Sequence, residues 1–253
     1  MSELVIFGAG EVAREAWRVF SRGSDHRVVA FIVDDAYLTS REFQGLPVEP
    51  ASRLAETFPP DRYLMFVAMG YSRMNSARSA KYAEMKSLGY QMPSAIGPRC
   101  RYESELPPGD NCLLLDDAII DQGVRIGSDV IIWRGCFVGH DSAVGDHCFM
   151  SARVSVAGHV TVGDHCFMGI GCVTVDAIEI APRTLAARGW SSARAPARAG
   201  PTQRRGPWSS SGRASRSIPE GGSRKCFRAT NLGSSSTSGP TRSTSTMRGS
   251  PSS

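Results

Sequence analysis

Between Ile120 and Ile180 an anchor residue recurs at every sixth position: Ile120, Ile126, Ile132, Val138, Val144, Met150, Val156, Val162, Met168, Thr174 and Ile180. All but Thr174 are apolar, and the residue after each is usually small, as at Gly127, Gly139, Gly145, Gly163 and Gly169. Four residues beyond each anchor the chain is compact: Val124, Val130, Cys136, Ser142, Cys148, Val154, Val160, Cys166, Cys172 and Ile178. Neither an α-helix nor an alternating strand has a period of six. A short fixed repeat with an inward apolar position requires a coil of stacked strands, each layer covering the next. The heptapeptide VGDHCFM stands at 144–150 and again at 162–168. Its offset of 18 residues is three sixes, so one turn of the coil has three sides.

This register accounts for the cysteines. Cys112, Cys136, Cys148, Cys166 and Cys172 all fall on the compact inward position, where a free thiol packs as a small hydrophobe. No CxxC pair occurs, and His147 and Cys148 face opposite ways if they share a strand. No metal site is expected.

The N-terminal region follows a different pattern. Leu4–Phe7, Val28–Val33 and Tyr63–Met69 read as strands, and 11–20 and 73–88 as helices. This alternation predicts a parallel α/β sheet. Gly8-Ala9-Gly10, with Ala13 three residues on, matches the turn that brings backbone close to a phosphate at a helix N-terminus. Asp34 and Asp35 end the second strand, where a carboxylate can accept hydrogen bonds from a ribose. Gly8, Ala9, Gly10, Asp34 and Asp35 are therefore candidate substrate-binding residues. A nicotinamide dinucleotide is one ligand for such a turn. The α/β region stops near Gly97, about half the length of a full dinucleotide fold, which favours a nucleotide or nucleotide-sugar.

The net charge of +5 is unevenly placed. After Thr184 come 12 of the 29 basic residues and one acid, Glu220, so residues 1–184 are acidic and residues 185–253 strongly basic. The six-residue register fails there too: no Val, no Asp and a single Ile, Ile218, follow Thr184. Such a composition cannot bury a core and predicts disorder. It also lacks the regular aromatic spacing of a strand-stacking nucleic-acid binder, so no nucleic-acid partner is expected. A reading-frame shift near Leu185 would produce this abrupt change. The domains are thus expected at 1–97, 98–184 and 185–253. No apolar run is long enough to cross a membrane and no leader precedes the first strand, so a cytoplasmic protein is expected.

The repeat, [Ile/Val]-Gly-x-x-[small]-x, is similar to that of the hexapeptide-repeat acyltransferases. Together with the Gly8-Ala9-Gly10 domain and WRGCFVGHD at 133–141, it resembles the bacterial sugar O- and N-acetyltransferases related to sialic acid O-acetyltransferases. The resemblance runs from Leu4 to about Thr184. It implies a Rossmann-like α/β domain followed by a left-handed parallel β-helix. It further implies a homotrimer, with acetyl-CoA in the groove between neighbouring helices and an amine or hydroxyl of a sugar or nucleotide-sugar as acceptor, in surface-polysaccharide biosynthesis.

In that family the general base is a histidine in a Gly-His-[Asp/Glu] element, here Gly139-His140-Asp141. A histidine can take the acceptor's proton near neutral pH, and a carboxylate can fix its tautomer. Adjacent residues on a flat strand point oppositely, so His140 and Asp141 cooperate only at a corner. Some relatives place a second, coenzyme-holding histidine nine residues on, where this chain has Phe149; that contact is absent or replaced. Gly169 and Ile170 align with the pantetheine arm. No metal is needed, because the thioester is already activated. Two other readings stand: a catalytically impaired nucleotide-sugar-binding trimeric scaffold, should the coils beyond Thr184 be missing, or a nicotinamide oxidoreductase, from the Gly8–Gly10 turn and the acidic pair.

Overall fold

The computed structural model describes residues 1–192 and the strand Cys226–Phe227. The chain opens with β1 (Ser2–Phe7), α1 (Glu11–Gly23), β2 (His26–Val33), β3 (Glu42–Phe43), β4 (Leu46–Pro50), α2 (Leu54–Thr57), β5 (Tyr63–Val67) and α3 (Ser76–Ser87). These strands form one sheet in the order β3-β4-β2-β1-β5, parallel throughout except for the β3–β4 hairpin. The apolar runs of β1 and β5 are buried on both faces, as parallel strands covered on both sides require. The helix expected over 73–88 begins later, at Ser76. Arg73, Met74 and Asn75 all take positive φ, between +52° and +63°, and form a turn before it.

From Ala95 onward the chain winds as a three-sided parallel β-helix of two-residue strands. One face stacks Ala95–Ile96, Leu113–Leu114, Ile131–Ile132, Phe149–Met150, Phe167–Met168 and Leu185–Ala186. A second stacks Arg101–Tyr102, Ile119–Ile120, Phe137–Val138 and Ser155–Val156, continued by bridges to Val173 and Ser191. The third stacks Arg125–Ile126, Ala143–Val144, Thr161–Val162, Glu179–Ile180 and Cys226–Phe227. Partners from the second layer to Ala186 lie 18 residues apart, the interval carried by the repeated heptapeptide.

Strands this short need sharp corners, and each corner uses one left-handed residue per turn of coil. Three columns result: Asn111, Asp129, His147, His165 and Arg183; Gly123, Asp141, His159 and Ala177; and Asp117, Gly135, Arg153, Gly171 and Gly189, with φ between +54° and +69°. Asn, Asp, His and Gly tolerate this region best, which explains most of the composition of the columns.

The six-residue anchors and compact residues fill the coil interior. Cys112, Cys136, Cys148, Cys166 and Cys172 are all buried there. Each thiol reaches the carbonyl fifteen residues ahead, at Gly127, Ser151, Gly163, Ala181 and Ala187, at 3.0–3.2 Å. Ser142 Oγ makes the equivalent bond to Ala157 at 2.9 Å. Burial pushes the Cys136 thiol up to about 11 and that of Cys112 to about 12, so both are held protonated.

The coil extends past both boundaries expected from sequence. Its first strand, Ala95–Ile96, precedes residue 98, and Leu185–Ala186 continues the stack beyond Thr184 with Ala186 fully buried. Ala186 is buried where Met168, Met150, Ile132 and Leu114 stand in the layers before it, and Trp190 packs against the same core. The disorder expected from 193 to 225 and from 228 to 253 lies outside the described residues.

The two units share a core. Leu113, Leu115, Ile131 and Phe149 of the first coil face pack with Leu4, Ile6, Ala13, Ala16 and Phe66 of the α/β unit. Glu15 of α1 also pairs with Arg134.

Candidate functional site

His140 and Asp141 occupy the corner between strands Phe137–Val138 and Ala143–Val144. Asp141 is a left-handed corner residue (φ +56°), its amide anchored to the Gln122 carbonyl at 3.0 Å. This turn in the backbone brings two adjacent side chains to the same side. His140 Nδ1 lies 3.1 Å from Asp141 Oδ2, and both side chains are more than half exposed. Nδ1 is thus engaged with the carboxylate and Nε2 is left for another partner. The ring sits over Gly158 of the next layer, where an added Cβ would fall 2.7 Å from Nε2. A glycine there leaves room for the imidazole.

His159, the next residue of the Asp141 column, stands with its ring 4.9 Å from that of His140, edge to face. His147 and His165 stand one turn of coil apart in another left-handed column. His147 Nδ1 contacts Asp129 Oδ2 at 2.9 Å, and its ring lies 4.8 Å from that of His165.

A cavity of about 400 Å³ lies where the α/β unit meets the coil. One wall is the start of α1 at Gly10, Glu11 and Val12, together with Ala68, Gly70 and Tyr71 after β5. The other is coil: Trp133, Phe149, Ser151, Ala152 and Ile170. Phe149 stacks between Trp133 (5.9 Å, 26°) and Phe167 (5.6 Å, 21°), while Tyr71 meets Phe149 edge-on at 5.1 Å. The cavity is therefore mainly apolar, with three aromatic rings in its lining and the start of α1 at one end.

The turn before α1 is built for close approach. Gly8 has φ +123°, and a Cβ there would fall 2.5 Å from the Ala68 carbonyl oxygen. Gly10 caps α1 without a side-chain hydrogen bond, so the first amides of the helix have no acceptor within it, the arrangement that receives phosphates. Ala9 packs against the shared core.

Asp34 and Asp35 are placed differently. Asp34 accepts from Lys81 Nζ at 2.8 Å, and Asp35 accepts from the Ser52 amide at 3.0 Å. Hydrogen bonds from Ser52 hold the Asp35 carboxyl below its ordinary value. Neither lines the cavity, and each already has a protein partner. Gly169 is packed beneath the next layer, where an added Cβ would meet the Arg188 amide nitrogen at 2.7 Å, while the neighbouring Ile170 is half exposed and lines the cavity.

Sequence reasoning missed Trp133, Tyr71 and Ser151 as cavity residues. Trp133 had been read only as part of a motif, and nothing local marks Tyr71, which reaches the coil through the fold. His140 does not line the cavity. Within one chain the two lie at different corners: the cavity borders the turn after Phe149–Met150, and His140 the turn after Phe137–Val138.

No family model and no curated protein matches the chain. Solved structures do. The likeness is one of fold, and it is extensive. The acetyltransferase domain of PglB from Neisseria gonorrhoeae FA1090 superposes with a TM-score of 0.68 at 21% identity, covering 76% of this chain and 91% of that one. PerB from Caulobacter crescentus, solved with CoA and GDP-perosamine, gives 0.68 at 24% identity over 76% and 88%. WeeI from Acinetobacter baumannii AYE gives 0.65 at 19% over 75% and 90%. Among the described residues no helix is long and apolar enough to cross a membrane.

Proposed function

We propose that this protein transfers an acetyl group from acetyl-CoA to an amine or hydroxyl of a sugar or nucleotide-sugar, with His140 as general base. The observation that carries the reading is the His140–Asp141 pair, with Nδ1 3.1 Å from the carboxylate at an exposed corner. The neighbours lend support: the PglB acetyltransferase domain was also solved with acetyl coenzyme A, and a PerB variant described as perosamine N-acetyltransferase with CoA and GDP-perosamine.

In this reading Asp141 keeps the His140 proton on Nδ1, so Nε2 holds a lone pair. As the acceptor attacks the thioester carbonyl, Nε2 takes the acceptor's proton. The new C–N or C–O bond forms, the C–S bond breaks, and the imidazolium returns the proton to the departing thiolate. Backbone amides stabilise the oxyanion.

The α1 end of the cavity, at Gly8, Ala9 and Gly10, receives the phosphates of the nucleotide-sugar. The coil wall at Phe149, Gly169 and Ile170 receives the pantetheine arm, with the phenyl ring giving the coenzyme an apolar contact in place of a histidine hydrogen bond. Because His140 and the cavity occupy different corners of one chain, a complete centre needs a second copy to bring its own His140 to the cavity, as a homotrimer of left-handed coils would. Asp34 and Asp35 reach the ribose in this scheme only by leaving Lys81 and Ser52.

The test is thiol release from acetyl-CoA in the presence of nucleotide-linked amino sugars. His140→Ala should lose turnover while the chain remains folded; unchanged turnover refutes the assignment. Sugar-nucleotide binding without coenzyme binding would instead identify a non-catalytic scaffold. Binding of reduced nicotinamide would identify an oxidoreductase.

A further inference from the structure

The His140–Asp141 corner carries a third donor. Asp141 and His159 are equivalent left-handed residues one turn of coil apart, each with φ +56°. The His159 amide donates to the His140 carbonyl at 2.9 Å, so their spacing is set by the stacked backbone. His159 Nε2 lies 3.9 Å from Asp141 Oδ2, and His140 Nδ1 lies 3.1 Å from the same oxygen. All three donor atoms fall within 4.8 Å of one another.

A tetrahedral zinc ion with ligand bonds near 2.0–2.2 Å holds its donors roughly 3.3–3.6 Å apart. The two separations from Asp141 Oδ2, 3.1 and 3.9 Å, bracket that value, and rotations of the exposed side chains bring the third pair, within 4.8 Å, to it. Two imidazole nitrogens and one carboxylate oxygen suit Zn²⁺ or Co²⁺; Mg²⁺ and Ca²⁺ prefer all-oxygen sites. The exposure of all three side chains leaves a fourth position for water.

We propose that His140, Asp141 and His159 bind one Zn²⁺ per chain, and that the ion blocks acetyl transfer. Coordination uses the Nδ1 lone pair of His140. The neutral ring then carries its single proton on Nε2 and has no lone pair left for the acceptor's proton. The ion also occupies the carboxylate that held the opposite tautomer. Zinc is here an inhibitor and takes no part in turnover. The inhibitory half of the proposal rests on His140 being the base; the binding half does not.

The full chain, stripped with EDTA and desalted, is mixed with Co²⁺, whose visible absorption reports a nitrogen- and oxygen-ligated site. Saturation at one ion per chain is expected. His159→Asn, which tolerates the left-handed backbone, and His159→Ala should each weaken Co²⁺ binding at least about 10-fold. Both should keep wild-type transfer in EDTA, and keep it at Zn²⁺ concentrations that stop the wild type, which EDTA then restores. No Co²⁺ spectrum in the wild type, or equal affinity in both variants, overturns the site. Zn²⁺ that binds without slowing transfer overturns the inhibition. Undiminished transfer by His140→Ala would refute the base assignment, while the Co²⁺ spectra, which need no activity, still decide the site.

Discussion

Arg78 of α3 donates from Nε to both carboxylate oxygens of Asp129, each at 3.0 Å, and neither side chain is reached by solvent. Arg78 Nη2 adds bonds to the carbonyls of Asp129, His147 and Cys148, and Asp129 also accepts from Asn111 and His147. One guanidinium thus ties α3 to two successive layers of the coil. Among the described residues its Nη1, like Asn75 Oδ1, has no hydrogen-bond partner, so the network is incompletely satisfied there.

Breaking this pair from one side leaves a buried charge uncompensated, which costs about 3–5 kcal/mol. Asp129→Asn keeps the shape and the left-handed backbone while removing the charge. A loss of that size is expected in urea unfolding, with much of it recovered in Arg78→Leu/Asp129→Asn. A loss below about 1 kcal/mol would mean that water reaches the pair.

Gly158 gives the His140 ring its space. In Gly158→Ala the new methyl would fall 2.7 Å from Nε2, and the exposed ring moves more readily than the coil backbone. Thiol release should fall at least about 10-fold, and by no more than the ~10²–10⁴-fold that general-base catalysis supplies, with the melting temperature little changed. Unaltered turnover would mean that Nε2 is not the reacting nitrogen.

Asp141→Asn retains a residue suited to φ +56° but no longer holds the proton on Nδ1. The expected decrease in kcat lies between about 10-fold and the ~10⁴-fold that the same substitution costs a buried catalytic triad. KM for acetyl-CoA should stay constant, and steady-state kinetics separate the two parameters.

His165 is held below its ordinary value near 6.5, first by burial and then by its neighbours His147 and Arg183. A histidine depressed in the fold takes up a proton on unfolding. Its contribution is therefore complete above about pH 6.5 and is lost as pH falls from there toward its folded value. Melting temperatures recorded from pH 7.5 to 5 should decline less steeply in His165→Asn than in the wild type. Parallel curves would show that His165 takes no part.

The coil was legible because its signal is local. An inward apolar residue every six positions and an identical heptapeptide eighteen residues apart depend only on which side chains face the axis, and any layer predicts the next. The cysteines followed from the same register, as did the need for a corner between His140 and Asp141. Its end was not legible: Ala186 and Trp190 pack into the coil core within a stretch whose composition had predicted no core. The partners of Asp34 and Asp35 were equally hidden, because Lys81 and Ser52 reach them only once the sheet and its connections have folded.

Sequence alone thus determined the repeating architecture and the three-sidedness, both properties of short-range order, while the His140–Asp141 candidate came from the family resemblance. Tertiary structure decided the aromatic cavity between α1 and the coil, the Arg78–Asp129 staple, the separation of His140 from that cavity, and the approach of His159 to Asp141. Those contacts join residues brought together by docking two units or stacking successive layers. No local pattern encodes them, because each depends on the position of a backbone elsewhere in the chain.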